Sequence, residues 1–106
     1  MLKNLKKQCE GDTIMYKVRW SKQFDKDFKR VVNNKKLTAE VEDVITLLAT
    51  SDNPLPEKYR DHQLKGTYAD YRECHVRPDW LLVYQKNKKE LILLLVETGT
   101  HSYIFG

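Results

Sequence analysis

Long apolar runs are absent from this sequence of 106 residues. No stretch approaches the roughly 20 apolar residues that a membrane-spanning helix needs. The lysines near the N-terminus lead into no continuous apolar segment, which is not typical of a secretion signal. Internal repeats and low-complexity segments are also absent. We therefore expect one domain with a single core, located in the cytoplasm and without a membrane partner.

Cysteine is scarce, because the chain has only Cys9 and Cys74, whose spacing does not indicate a metal-binding knuckle. Two cysteines are enough for one disulfide, but a reduced pair is the expectation for a cytosolic protein. Histidine is also scarce, and the three that are present, at positions 62, 75 and 101, match no local metal motif. We therefore predict that the protein uses no metal ion or other cofactor.

Acidic residues are few in the first third of the chain. The formal net charge is +4, and eight basic residues lie between Tyr16 and Lys36, where they are opposed by Asp25 and Asp27. A basic surface of this kind suits a polyanionic partner. A solvated, lysine-rich helix surface gives the same pattern, so composition alone leaves both interpretations open.

Residues 1–14 are polar and show no sustained periodicity. We predict that they form a poorly ordered N-terminal extension, followed by a domain over residues 15–106. The domain begins with a short strand, Tyr16 to Trp20, and Ser21 then caps the N-terminus of an amphipathic helix.

A second helix follows the turn at Asn33-Asn34, and Thr38 is predicted to cap it. Both helices carry an apolar stripe at helical spacing, formed by Phe24, Phe28, Val31 and Val32 in the first and by Val41, Val44, Ile45 and Leu48 in the second. Two short helices joined by a tight turn form a helical hairpin.

Three short apolar segments near the C-terminus predict strands, Tyr71–Arg77, Trp80–Gln85 and Leu91–Thr98. Pro78-Asp79 and Lys86–Lys89 are typical of turns, so the strands should form an antiparallel meander. Leu91 to Val96 is nearly all apolar, which is typical of a central strand buried on both faces. The predicted class is α+β with the order β-α-α-β-β-β, in which the helical hairpin packs on one face of an antiparallel sheet and the other face is open.

All three histidines lie in the second half of the chain. His75 is in a predicted strand, His101 follows the last strand, and His62 lies in an irregular segment that can fold back over the sheet. Asp79 and Trp80 begin the middle strand, beside the end of the His75 strand. We hypothesise that these residues converge at one edge of the open face. Taken singly, a histidine in a strand is more often structural, and Trp80 is typical of a core residue.

Four segments carry a resemblance to a known family: Leu64–Gly66, Tyr71–Tyr84, Thr98–His101 and Ser102–Phe105. They resemble the YafQ branch of the RelE/ParE toxin superfamily, and the likeness runs from about residue 15 to the C-terminus. The resemblance implies a RelE-like fold. It also implies a ribosome-dependent mRNA interferase of a type II toxin–antitoxin system, neutralised by a cognate antitoxin.

The resemblance also implies the site. In that branch, the cleavage centre uses histidines and an aspartate at positions that match His62, His75, Asp79 and His101. The aromatic positions of the branch match Trp80 and Phe105. All six residues are present here.

Such a set suits RNA cleavage without a metal. The ribose 2′-OH attacks the neighbouring phosphorus and the 5′ oxygen leaves, so a base, an acid and positive charge are needed. We expect Asp79 and His101 to transfer the protons and His62 and His75 to hold the phosphate. Aromatic rings such as Trp80 and Phe105 stack on unpaired bases.

One position departs from the family. Its members usually carry an arginine immediately before the Thr-Gly-Thr-His turn, where this chain has Glu97. Arg72, Arg77 or Lys65 are the candidates to supply the missing charge and bind RNA. Arg77 is favoured, because it has the same strand parity as His75 and should emerge on the same face.

Two other functions stay open on the same fold. One is inhibition of DNA gyrase, as in the ParE branch, which would leave the histidines unexplained. The other is a weakened toxin that acts mainly in an antitoxin complex, with Glu97 marking a decayed site. The resemblance implies an antitoxin, the ribosome and mRNA as partners, and operator DNA only through the antitoxin. The antitoxin should bind as an extended acidic or amphipathic segment, for which the basic helix face is a plausible receiver.

Overall fold

The computed structural model describes residues 15–106, so the predicted N-terminal extension and Cys9 lie outside the described residues. Within this range the elements, in chain order, are β1 Lys17–Trp20, α1 Lys22–Val31, α2 Lys35–Thr50, β2 His62–Gln63, β3 Arg72–Arg77, β4 Trp80–Asn87, β5 Ile92–Gly99 and α3 His101–Phe105. Short 3-10 turns at Glu57–Tyr59 and Gly66–Tyr68 flank β2.

The strands form one sheet in the order β1-β5-β4-β3-β2. The α+β class and the predicted helices and strands are confirmed, with three differences. Strand β1 pairs with β5 in parallel, which a crossover through the helical hairpin permits, whereas the other pairs are antiparallel. The segment predicted to be irregular contains β2, and the C-terminal tail forms α3.

The helical hairpin begins as predicted and then differs at its turn. Ser21 caps α1, and its hydroxyl accepts a hydrogen bond from the Phe24 amide at 2.9 Å. The predicted cap of α2 was wrong, because the helix begins at Lys35 and Asn34 is its N-cap, accepting from the Leu37 amide at 3.0 Å. The Thr38 hydroxyl instead donates back to main-chain carbonyls of the turn.

The hairpin packs its apolar stripe against one face of the sheet, as predicted. This hairpin-side core contains Phe24, Phe28, Val41, Val44, Ile45 and Leu48 from the helices and Cys74, Leu82, Tyr84, Leu93 and Leu95 from the strands. Burial raises the pKa of the Cys74 thiol. Because thiolate is the reactive form, Cys74 is an inert core residue.

The strand that is buried on both faces is β4. All four residues from Leu81 to Tyr84 are buried, whereas burial in β5 alternates between Leu93 and Leu95 and their half-exposed neighbours. The prediction for Leu91 to Val96 was therefore wrong in detail. The apolar run forms an inner strand, but its residues are buried only alternately, whereas four consecutive residues of β4 are buried. The turn before β5 also lies later than predicted, because β4 extends to Asn87.

The face away from the hairpin is partly covered, which corrects the prediction of an open face. Helix α3 folds back on it, and Ile104 packs on Leu81 and Val83 to form a second, smaller core. Leu64, Tyr71, Val96 and Phe105 pack around that core. Within residues 15–106, no helix combines the length and apolar character needed to cross a bilayer.

The observed cap gives a direct test of the hairpin turn. We expect Asn34→Ala to destabilise the fold by about 1 kcal/mol, because the Leu37 amide loses its acceptor. Asn34→Asp should be nearly neutral, since aspartate caps equally well. Urea unfolding measures both, and Asn33→Ala, at the neighbouring exposed position, is the matched control. Equal effects at positions 33 and 34 would contradict the assigned cap.

Candidate active site

Strand register places two of the predicted histidines on the face that carries α3. His62 pairs with Glu73, Glu73 pairs with Val83, and His75 pairs with Leu81. Directly paired residues project from the same face of a sheet. Because Leu81 and Val83 belong to the α3-side core, the side chains of His62, Glu73 and His75 lie on that side.

Glu73 joins the two histidines and was missed by the sequence analysis. Its side chain is only 6% exposed, and its Oε1 lies 3.5 Å from His75 Nε2 and 3.8 Å from His62 Nε2. The signal was present in the sequence, because Glu73 and His75 are two residues apart in one strand and so share a face. Glu73 lies within the segment Tyr71–Tyr84 that carries the resemblance, but the resemblance implied a catalytic role only for the histidines and Asp79.

Both imidazoles also face main-chain carbonyls. His62 Nδ1 lies 2.7 Å from the Arg60 carbonyl oxygen, and His75 Nδ1 lies 3.3 Å from that of Pro78. Each ring therefore has its Nδ1 beside a main-chain carbonyl and its Nε2 on the side of the Glu73 carboxylate, which fixes the orientation of both imidazoles.

The orientation of His62 depends on the residue before it. Asp61 accepts a hydrogen bond from the Tyr84 hydroxyl at 2.5 Å and from Arg72 Nη2 at 3.1 Å. Arg60 takes a left-handed conformation, with φ at 47°, which turns the chain into β2. Asp61 is thereby held toward the hairpin side, and His62 projects to the opposite face. Arg72, predicted to bind RNA, is committed to this network rather than to the histidine face.

Helix α3 carries His101 and Phe105 and begins near the end of the sheet where His75 lies. Leu81 pairs with His75 on one side and with Gly99 on the other, so those two residues are separated by two strand spacings, roughly 10 Å. His101 follows two residues after Gly99 and is exposed. Its ring centroid lies 5.1 Å from that of Phe105, one helical turn on.

Asp79, Trp80 and Lys65 have different environments. Asp79 is exposed in the turn between β3 and β4, and Lys65 is exposed before the second 3-10 turn. Trp80 is half-buried, packs against the hairpin-side core, and donates from its indole Nε1 to the Thr98 hydroxyl at 2.9 Å. Trp80 is therefore anchored to the core, and one side of it borders a cavity of about 200 Å³ beside Thr100, so its contact with RNA stays a prediction.

The prediction that Arg77 shares a face with His75 was wrong. A bulge between these residues changes the register, so that His75 pairs with Leu81 whereas Arg77 pairs with Trp80. The bulge turns Arg77 toward the hairpin, where its Nη2 lies 2.5 Å from Glu40 Oε1 of α2. A strict two-residue alternation does not hold across a bulge.

Glu97 stands where a positive charge was expected, and it has an acidic neighbour. Burial raises the pKa of its carboxyl, and the charge of Asp27 adds to this shift. Arg30 of α1 lies near the same end of β5, with its guanidinium carbon 5.2 Å from the centre of the Tyr103 ring. Arg30 is one of the eight basic residues between Tyr16 and Lys36, but nothing in the sequence pattern predicts its position beside Tyr103.

The fold and this histidine face define a small RelE-like α+β protein. Its relatives agree. A sequence profile described as "Bacterial toxin of type II toxin-antitoxin system, YafQ" matches residues 16–106, and the chain belongs to this YafQ toxin family. It is 38% identical over 93 residues to the mRNA interferase toxin YafQ of Escherichia coli K12, an alignment that covers 88% of this chain and 99% of that toxin.

Solved structures of relatives have the same fold. The E. coli DinJ–YafQ toxin–antitoxin complex matches with a TM-score of 0.77 and 36% identity, covering 88% of this chain and 100% of the matched one. A metal-bound toxin from Helicobacter pylori matches with a TM-score of 0.77 and 48% identity, covering 86% and 100%. Within residues 15–106 of this chain, no group of histidine, cysteine, aspartate and glutamate side chains is arranged to hold a metal ion.

The raised pKa of Glu97 predicts that this residue lowers the free energy of unfolding in a pH-dependent way. A folded-state pKa above the unfolded value means that stability falls as the pH rises through the range between the two values. Glu97→Gln should therefore make the protein more stable than wild type at pH 7, and the difference should shrink as the pH is lowered toward 4. Urea unfolding at both pH values measures this. Glu57→Gln, at an exposed position, is the control, and a difference that does not vary with pH would contradict the assignment.

Proposed function

We propose that this protein is a ribosome-dependent, metal-independent mRNA endonuclease that is neutralised by a cognate antitoxin. The observation that carries the proposal is the cluster in which His62 and His75 share the buried Glu73 carboxylate, on the same face as the helix that presents His101. The name of the E. coli relative, an mRNA interferase toxin, supports the substrate class.

The chemistry follows from what each group can offer. The ribose 2′ oxygen forms a bond to phosphorus, the bond from phosphorus to the 5′ oxygen breaks, and a 2′,3′-cyclic phosphate results. Asp79 and His101 carry out the two proton transfers with the RNA. One accepts the proton of the 2′ hydroxyl, and the other donates a proton to the leaving 5′ oxygen. Both side chains are exposed, so RNA can reach them. Each such transfer contributes roughly a hundred- to ten-thousandfold to the rate.

His62 and His75 supply the charge that the family usually draws from an arginine. Their imidazolium forms would donate from Nε2 to the phosphate or to Glu73, and the phosphorane gains negative charge as it forms. Lys65 is exposed and available beside this face, whereas Arg72 and Arg77 are engaged elsewhere. Phe105, whose ring lies beside that of His101 at an interplanar angle of 49°, is placed to contact a base.

Dependence on the ribosome is supported by the shape of the site. The candidate residues lie along a sheet edge and a short helix rather than in a deep cleft, and two of them are on exposed turns. A shallow surface of this kind makes few contacts that would hold flexible RNA in one conformation. A partner that holds the message in an extended path would supply the positioning that catalysis requires.

Binding of an antitoxin is proposed for two reasons, the complex formed by the E. coli relative and the positive charge on the exposed side of α1. The E. coli toxin was solved in complex with its antitoxin DinJ. Here the exposed side of α1 carries Lys22, Lys26, Lys29 and Arg30. Although Lys29 pairs with Asp25 at 3.3 Å, the surface stays basic and suits an acidic segment. Operator DNA would be bound only through the antitoxin.

The central prediction concerns His101. We expect His101→Ala to abolish growth arrest and mRNA cleavage while leaving folding and antitoxin binding intact, because the side chain is exposed and, within residues 15–106, has a ring contact with Phe105 alone. Mapping mRNA 5′ ends after brief induction, and incubating purified protein with programmed ribosomes, would measure the loss. His101→Gln, which keeps a polar side chain, should be equally inactive.

Three controls separate the alternatives. Cleavage on programmed ribosomes by protein that was first treated with EDTA and then transferred to EDTA-free assay buffer supports the metal-independent chemistry, and the metal-bound H. pylori relative makes this control necessary. Inhibition of DNA supercoiling by gyrase, without mRNA cleavage, would favour the ParE-like function. Soluble wild-type protein that binds antitoxin but neither cleaves mRNA nor arrests growth would favour the weakened toxin, with Glu97 as the cause.

A second prediction tests the shared carboxylate. Glu73→Gln keeps the shape of the side chain but removes the charge that faces both imidazoles. We expect cleavage to fall about 10- to 100-fold, since both imidazoles lose the carboxylate that positions them, and misplacing a catalytic group slows a reaction on that scale. Glu57→Gln should cleave at the wild-type rate. A fully active Glu73→Gln protein would show that the carboxylate has no part in the site.

A further inference from the structure

Asp27 of α1 is a carboxylate enclosed by protein, with only 2% of its surface exposed. Its Oδ1 accepts from the Tyr103 hydroxyl at 2.6 Å and from Gln23 Nε2 at 2.9 Å, and its Oδ2 accepts from the Thr98 amide at 3.1 Å. A buried carboxylate is tolerated when its oxygens are hydrogen-bonded in this way. Asp27 therefore connects α1, the end of β5 and α3.

The Tyr103 ring is held on two further sides. A Cβ at Gly99 would lie 2.5 Å from Cδ2 of Tyr103, so the ring rests directly on the glycine backbone. The Arg30 guanidinium carbon lies 5.2 Å from the ring centre. The hydrogen bond to Asp27 raises the pKa of the Tyr103 hydroxyl, and the nearby charges of Arg30 and Glu97 partly oppose each other. The hydroxyl therefore stays protonated, and stays a donor, at neutral pH.

Helix α3 needs such an attachment. It has five residues, too few for a helix to be stable by itself in water. Its other supports are the Thr100 hydroxyl, which accepts from the Tyr103 amide at 3.2 Å, and the burial of Ile104. Among the described residues, His101 has only the Phe105 ring as a side-chain contact. The direction of its imidazole therefore follows from the placement of the whole helix.

We infer that Asp27 is a positioning residue for His101, holding Tyr103 and the end of β5 so that α3 presents the imidazole to the scissile phosphate. The inference rests on the proposed nuclease function. Asp27 is buried, so its proposed role involves no contact with RNA. Its effect reaches the reaction through the hydroxyl of Tyr103, and a small misplacement of a catalytic group is enough to slow a reaction severely.

The test removes one hydroxyl. Tyr103 is 42% exposed, so Tyr103→Phe should still fold and keep its antitoxin affinity, with a lower urea midpoint because the buried Asp27 carboxylate loses one donor. Its single-turnover cleavage of mRNA on programmed ribosomes should fall about 10- to 100-fold, with the half-saturating ribosome concentration unchanged. Amide hydrogen exchange should accelerate at Ile104 and Gly106, whose amides donate within this last turn.

Two comparisons make the test specific. Tyr59→Phe removes a hydroxyl from a residue that packs against the hairpin-side core and should leave both measurements at wild-type values. Asp27→Asn keeps an acceptor for Tyr103 and should retain more activity than Asp27→Ala. Wild-type cleavage by Tyr103→Phe, or unchanged exchange in α3, would overturn the inference. If the wild-type protein itself cleaves no mRNA, the proposed function fails, whereas the exchange measurement still decides whether Asp27 fixes α3.

Discussion

The packing of strand β4 on both of its faces is the constraint on which the site depends. Leu82 and Tyr84 face the helical hairpin, whereas Leu81 and Val83 face α3. Because the neighbouring strands pair with β4, its register decides which of their side chains reach the α3 side. A slip of one residue would exchange the two faces, which would bury the catalytic candidates and expose the core.

Three carboxylates connect parts of the chain that the sheet alone would leave loosely associated. Asp61 fixes the entry to β2, Glu73 lies between two imidazoles, and Asp27 joins α1 to α3. Each is largely buried. Asp61 and Asp27 accept hydrogen bonds from other elements, whereas Glu73 faces His75 of its own strand and His62 of β2. In a protein with a net charge of +4, placing acidic groups inside leaves the basic ones at the surface for polyanionic partners.

Much of the fold could be predicted from the sequence because periodicity reports burial directly. The helical stripes and the three C-terminal strands were found in this way, and Ser21 was recognised as a cap. The predictions that failed concern local departures from periodicity. The bulge that turns Arg77 aside has no signature in one sequence, and α3 is shorter than the window over which helical spacing is recognised.

The site was predicted as a set of residues through the resemblance. Asp27 and Glu73 were missed because their roles arise from contacts with distant parts of the chain.

The parallel pairing of β1 with β5 joins positions 75 residues apart, such as Lys17 and Ile92. Contacts between such distant positions form late, because a long loop must close first. During synthesis the sheet cannot close until β5 has emerged, and α3 follows it. A nascent chain in which β5 has not yet emerged therefore has neither a complete core nor His101 in place, so the histidine face is assembled only after β5 and α3 have left the ribosome.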